Sequence, residues 1–155
     1  MKINNLNKRK GQLFSIDAIT AIGLFLLMLS AVMIAHSSLT NKINNTILYR
    51  TMEQKAEFIT DAVYKNTSIA GNFKEEQLIN IFSKNSTEFN NEYDIGFDYL
   101  MEIINLQTKQ PVSLHGTTLK IGQAVSKPLY SITTERFGYL NNQDVKLTMK
   151  VYYHE

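Results

Sequence analysis

Apolar and polar positions divide the chain into three stretches with different periods. The first apolar stretch, Ala18 to Ala35, reads AITAIGLFLLMLSAVMIA and carries no charge. As a helix rising about 1.5 Å per residue, it would span about 27 Å, close to the hydrocarbon thickness of a bilayer. The buried helix of a small soluble protein is rarely apolar on every side, so this pattern predicts a membrane-crossing helix.

The second stretch has a helical period. Ile47, Leu48, Met52, Ala56, Ile59, Ala62 and Val63 recur three and four residues apart, with Glu53, Lys55, Glu57 and Asp61 mostly elsewhere. That predicts an amphipathic helix with one stripe for packing on a domain. Between the two stretches, His36 to Asn45 is rich in Ser, Thr and Asn, which predicts a bend or loosened turn before the helix resumes.

Beyond Asn66 the order changes. Asn66 to Gly71 breaks the helical pattern, and Asn72 with Glu75 three residues on forms a capping-box-like start for a short helix to about Ser83. Lys84 to Asp94 is polar and reads as loop. The period then becomes two. Phe97, Tyr99, Met101 and Ile103 alternate with Asp98, Leu100, Glu102 and Ile104, predicting a strand with one buried and one mixed face. Thr108 to Pro111 reads as a turn, and Leu114 and Leu119 to Ile121 as short strands around His115-Gly116. Leu129 to Leu140 reads as a strand, irregular at Gly138. After an Asn141-Asn142 turn, the cleanest alternation is Val145, Leu147, Met149, Val151 and Tyr153, paired antiparallel with the strand before it. The expected fold class is α+β. A long N-terminal helix, apolar in its first half, precedes a short helix and an antiparallel sheet.

Charge gives the apolar segment a direction. Lys2, Lys8, Arg9 and Lys10 precede it with no acid among the first 11 residues, whereas Lys42 alone lies in the first dozen residues after it. The basic flank predicts a cytoplasmic N-terminus and a C-terminal domain outside. The overall charge of +2 therefore misleads, since 12 basic against 14 acidic side chains remain downstream. No basic patch suited to nucleic acid survives. A conventional cleaved signal has a shorter apolar region and a small-x-small site, and Ala35-His36-Ser37 fits that poorly.

Immediately before the apolar run, KRKGQLFSID places a basic triplet ahead of Gly11-Gln12, with Ser15 and Asp17 opening the helix. This arrangement resembles the class III signal peptide of archaeal type IV pilin-like proteins, over Lys8 to about Ala35. The resemblance implies a prepilin peptidase that reads Lys8, Arg9 and Lys10, cuts after Gly11 on the cytoplasmic face and leaves Gln12 as the new N-terminus. Glycine suits such a cut, because a residue without Cβ lets the backbone enter a narrow site. The family's acidic residue, usually fifth in the mature chain, attracts the free amine of a neighbouring subunit during assembly. Here Ile16 holds that position and Asp17 follows it, a displacement of about 1.5 Å along the helix and 100° around it. Asp17 has two readings, assembly or interaction with the positive end of the helix dipole. The organisation implied is a leader over 1–11, a transmembrane or filament-core helix over 12–36, its amphipathic continuation over 37–65 and an extracellular helix-plus-sheet domain over 66–155.

Other chemistry is sparse. Asn44, Asn66 and Asn85 begin Asn-x-Ser/Thr sequons on the side expected to face out, although a chain with fifteen asparagines generates sequons by chance. With no cysteine there is no disulfide framework and no thiolate ligand. His36, His115 and His154 are scattered, without the spacing of a metal site. Glu75-Glu76 and Asp94, Asp98, Glu102 are explained by a helix start and a solvated strand face. No phosphate loop or nucleophile elbow occurs. The sequence therefore predicts no enzyme, no cofactor and no metal. Its leading reading is a subunit, minor rather than major, of an archaeal type IV pilus-like surface filament. The partners would be the prepilin peptidase, other pilin-like subunits and, before assembly, membrane lipid. The alternative is a singly anchored extracellular protein that binds a ligand or partner and never polymerises.

Overall fold

The computed structural model describes the backbone of residues 4–154 and the side chains of residues 16–154. The fold is α+β. Helix α1, Asn4–Thr67, is followed by strands β1 (Ser68–Ile69) and β2 (Asn72–Phe73) and helices α2 (Glu75–Phe82) and α3 (Ser86–Tyr93). The remaining strands are β3 (Asp98–Asn105), β4 (Ser113–Leu114), β5 (Thr117–Thr118), β6 (Lys120–Gly122), β7 (Tyr130–Leu140) and β8 (Gln143–Tyr153). The chain forms two compact units that divide between Ile47 and Leu48, inside the expected amphipathic segment 37–65.

Helical hydrogen bonding continues through the polar segment at His36 to Asn45, where a bend or loosened turn was expected. Thr40 Oγ1 donates to the His36 carbonyl at 3.0 Å and Thr46 Oγ1 to that of Lys42 at 2.8 Å. Hydroxyls that bond back to their own helix no longer compete with it for partners.

In the second unit, the amphipathic half of α1 buries Met52, Ala56, Ile59 and Val63 in one core with Met101, Ile103, Leu147, Met149 and Val151 from the sheet. Met52 to Val63 of the stripe read from the sequence thus form the core face, with Leu48 and Ala62 partly buried, whereas Ile47 at its start is 58% exposed. Polar contacts tie the helix to β7. Thr60 and Thr134 share a hydroxyl hydrogen bond of 2.5 Å, Arg136 Nε donates to Asp61 Oδ1 at 2.8 Å, and Tyr64 donates to the Phe137 carbonyl at 3.0 Å.

The main sheet runs β1-β2-β7-β8-β3-β6, and β4-β5 forms a separate small hairpin. The predicted pairing of the last two strands is present over their full length, from Tyr130↔Tyr153 to Leu140↔Gln143. Asn141 and Asn142 both adopt positive φ, +52° and +62°, the type I′ geometry that matches strand twist in a two-residue hairpin. His115-Gly116 and Ala70-Gly71 likewise place two successive residues at positive φ to close β4-β5 and β1-β2.

Four local expectations are corrected. The sheet is mixed, because β2 pairs parallel with β7 at Asn72↔Tyr139. Asn72 thus belongs to a strand. The cap of α2 is Lys74, whose side chain makes no capping bond. Lys84 to Asp94, expected to be loop, contains α3, whose cap Asn85 accepts the Glu88 N–H at 2.8 Å while the Glu88 carboxylate accepts the Asn85 N–H. The second face of β3 is covered further than expected, with Leu100 and Glu102 buried between exposed Asp98 and half-buried Ile104. The irregularity at Gly138 has a steric cause, since a Cβ there would meet the Gly71 carbonyl oxygen and lie 2.8 Å from the Phe73 ring. The β1-β2 hairpin needs that space.

Ile59 is fully buried, whereas its neighbour Phe58 is 66% exposed. Ile59→Ala is expected to lower unfolding free energy by about 2–5 kcal/mol, and Phe58→Ala to change it by no more than about 0.5 kcal/mol. Urea unfolding of the full chain in lipid nanodiscs, followed by the signal of the sheet domain, measures both.

Candidate functional site

The first unit presents a surface that the chain itself leaves uncovered. Twelve large apolar side chains between Ile16 and Ile34 are each 45% to 71% exposed. At 100° per residue they occupy every side of the helix. No part of the best membrane-length apolar window in α1 is buried within the fold. A continuous apolar surface of this extent marks an interaction with lipid or protein.

The hydroxyls within the segment suit that environment. Thr20 Oγ1 donates to the Ile16 carbonyl and Ser30 Oγ to the Leu26 carbonyl, both at 2.8 Å. A polar group in hydrocarbon must find its partner inside the protein, and these two find it one turn back. The helix is long and apolar enough to cross a membrane.

Asp17 lies in this segment with its side chain exposed. Lys8, Arg9, Lys10, Gly11 and Gln12, the residues of the expected processing site, lie outside the residues described with side chains. All three sequon asparagines are exposed, and their local structures differ. Asn44 lies inside α1 and Asn66 in its last turn. Asn85 alone has extended backbone, φ −75° and ψ 163°, with its Oδ1 committed to capping α3.

Four of the five carboxylates weighed in the sequence, Glu75, Asp94, Asp98 and Glu102, are dispersed into separate pairs. Asp94 meets Lys55 at 3.0 Å, Asp98 meets His154 Nδ1 at 3.0 Å, and Glu102 meets Lys150 at 3.8 Å. Glu102 is buried in the sheet, contrary to the expected solvated strand face. Glu75 joins three elements, because at the N-terminus of α2 it accepts from Asn141 in the β7-β8 turn and meets His115 Nε2 of the β4-β5 turn at 3.4 Å. The Asn141 bond, followed by that of His115, holds the Glu75 carboxyl below its usual range.

No protein-family model, curated protein or solved structure matches the chain. The functional reading therefore depends on the residues themselves.

Two predictions follow from these contacts. Asn85→Ala is expected to lower stability by about 1 kcal/mol through loss of the cap, while Asn85→Asp keeps a capping oxygen and stays close to the parent. Both remove the sequon, so urea unfolding beside intact-mass measurement separates cap from sugar. For Glu75, a carboxyl with a lowered folded-state pKa stabilises above its ordinary range and loses that contribution as pH falls through its folded value. Glu75→Gln should accordingly flatten the acid side of a plot of thermal midpoint against pH. The effect should be small, since solvent reaches this pair.

Proposed function

We propose that the chain is a minor subunit of an archaeal type IV pilus-like surface filament. In this reading it is made as a membrane precursor, cut after Gly11 and assembled through its N-terminal helix. The observation that carries the proposal is the division of labour within α1. From Leu48 the helix buries one stripe in its own domain, whereas the large apolar side chains from Ile16 to Ile34 remain exposed. Lys8-Arg9-Lys10-Gly11-Gln12 directly precedes that surface.

The segment would occupy lipid first and the apolar core of a helical filament afterwards, with the sheet domain outside the cell. Its partners would be a prepilin peptidase and other pilin-like subunits, and its role structural, not catalytic. The position of Asp17, one residue later than the family's usual acid, favours a second reading: an anchored surface protein that retains the helix but does not polymerise.

The N-terminus of the protein made in its native host separates these readings. Peptide mass spectrometry is expected to find Gln12 as the first residue, and Gly11→Val to leave the leader attached. An N-terminus at Met1 would support a simple anchor, and one near Ser38 would support secretion. Unchanged processing of Gly11→Val would sink the peptidase assignment.

A further inference from the structure

One end of the sheet carries a groove that the filament reading leaves unused. The start of α3, the segment before β3, the residues after β6 and the end of β8 line an open cavity of about 790 Å³. It lies wholly within the second unit.

Its aromatic part is held in place. Tyr99 donates its hydroxyl to the Ser86 carbonyl at 2.9 Å, and its ring lies 5.6 Å from that of Phe89. Tyr153 stacks on Tyr130 with ring centroids 6.3 Å apart. Tyr152 is nearly buried, and Phe97 half-buried, in the same lining. Burial pushes the Tyr99 and Tyr152 phenols above their ordinary range, so both stay neutral at physiological pH.

Two amides complete the lining, Asn90 from α3 and Gln123 from the segment after β6. Gln123 is positioned by its backbone N–H, which donates to the Tyr99 carbonyl at 2.8 Å. That approach requires Gly122, whose φ is +82° and where a Cβ would collide with the same carbonyl. Each amide side chain offers both donor and acceptor capacity, and among the described residues neither has a side-chain hydrogen-bond partner within the chain.

Charge narrows the class of ligand. The lining contains no lysine or arginine, and its one acid, Asp98, is paired with His154. A phosphate, sulfate or nucleotide would find no lysine or arginine there, only a histidine already held by Asp98, and would meet that carboxylate. An acyl chain would leave the two amides, which have no side-chain partner within the chain, without partners. A neutral sugar has apolar C–H faces for the rings and hydroxyl edges for amides and carboxylate, the mixture that fixed, mostly apolar ligand sites with a few placed polar groups accommodate. The open side admits more than one sugar unit. We propose that this groove binds a neutral oligosaccharide, with Asn90, Gln123 and Asp98 bonding its hydroxyls against the half-buried Phe97 and Tyr153 rings, which the buried Tyr99 and Tyr152 support. The assignment holds for a filament subunit and an anchored protein alike.

The test uses the full chain in lipid nanodiscs, since sugar-headed detergents would compete. Neutral hexasaccharides of α-glucose, β-glucose, mannose and N-acetylglucosamine are titrated against tyrosine emission, the chain having no tryptophan. At least one is expected to give a saturable response with half-saturation between about 0.1 and 10 mM, the range of a shallow site with few contacts. Gln123→Ala should weaken that binding at least threefold and the Asn90→Ala, Gln123→Ala pair at least tenfold, with thermal midpoints matching the parent. Gln123 is exposed, so the single variant decides the matter if the double variant unfolds. Absence of a saturable response to all four sugars up to about 10 mM, or parental affinity in Gln123→Ala, overturns the proposal.

Discussion

An α-helix satisfies its own backbone hydrogen bonds, and this property lets α1 carry two kinds of surface. A strand or loop carrying the residues Ile16 to Ile34 would need partners for every peptide group wherever water is absent. A helix needs none beyond its ends, so its side chains alone decide what it can lie in. In α1 they change from apolar all round to a single stripe. The stripe is covered by the sheet, and the uniform surface is left for something outside the chain. Thr20, Ser30, Thr40 and Thr46 extend the rule to side chains, each turning its hydroxyl back onto a carbonyl four residues earlier.

The parts of the fold legible in the sequence are those in which one residue pattern has one physical consequence. The spacing from Met52 to Val63 could be buried only as a helical stripe. The alternation from Val145 to Tyr153 could be buried only as a strand, and Asn141-Asn142 readily adopts the positive φ values that a two-residue hairpin needs. The parts not legible are set by tertiary contact. Ala70 has no intrinsic preference for its left-handed conformation, and the β1-β2 hairpin exists because Tyr139 N–H donates to the Gly71 carbonyl and Gly138 leaves room beside it. Helix α3 was legible in principle. Asn85 with Glu88 three residues later is a capping box, but Asn72 with Glu75 shows the same spacing and there serves a strand and a helix start.

The candidate site divides in the same way. The uncovered apolar surface follows directly from composition. The groove does not, because Asn90, Gln123 and Tyr152 are far apart in the chain, and the pairing of β3 with β6 and β8, together with the packing of α3 on Tyr99, brings them together. Tyr152 and Tyr153 could be read from sequence as an aromatic pair on a strand. Their alternation sends them to opposite faces, yet both line the groove because it wraps the end of the sheet.

The energetics of the apolar segment also bear on the choice between assembly and anchoring. In water, burying twelve large apolar side chains is strongly favourable, at about 25 cal/mol per Å² of apolar area. From a bilayer that gain is already made, because acyl chains are as apolar as Leu or Ile. Moving the helix from lipid into a bundle of like helices must therefore be driven by close packing and by polar contacts that lipid cannot supply. In this segment the back-bonded hydroxyls are already satisfied by their own helix, which leaves Asp17 as the side chain with most to gain from a partner. A carboxylate near the end of the run costs little at a membrane surface and much inside a filament unless a cation meets it. The free amine created by cutting after Gly11 would be such a cation, so cleavage and assembly would be coupled through Asp17. On the proposed filament reading, the offset of Asp17 by one residue would change the direction from which such an amine approaches, by about 100° around the helix, while leaving its depth almost unchanged.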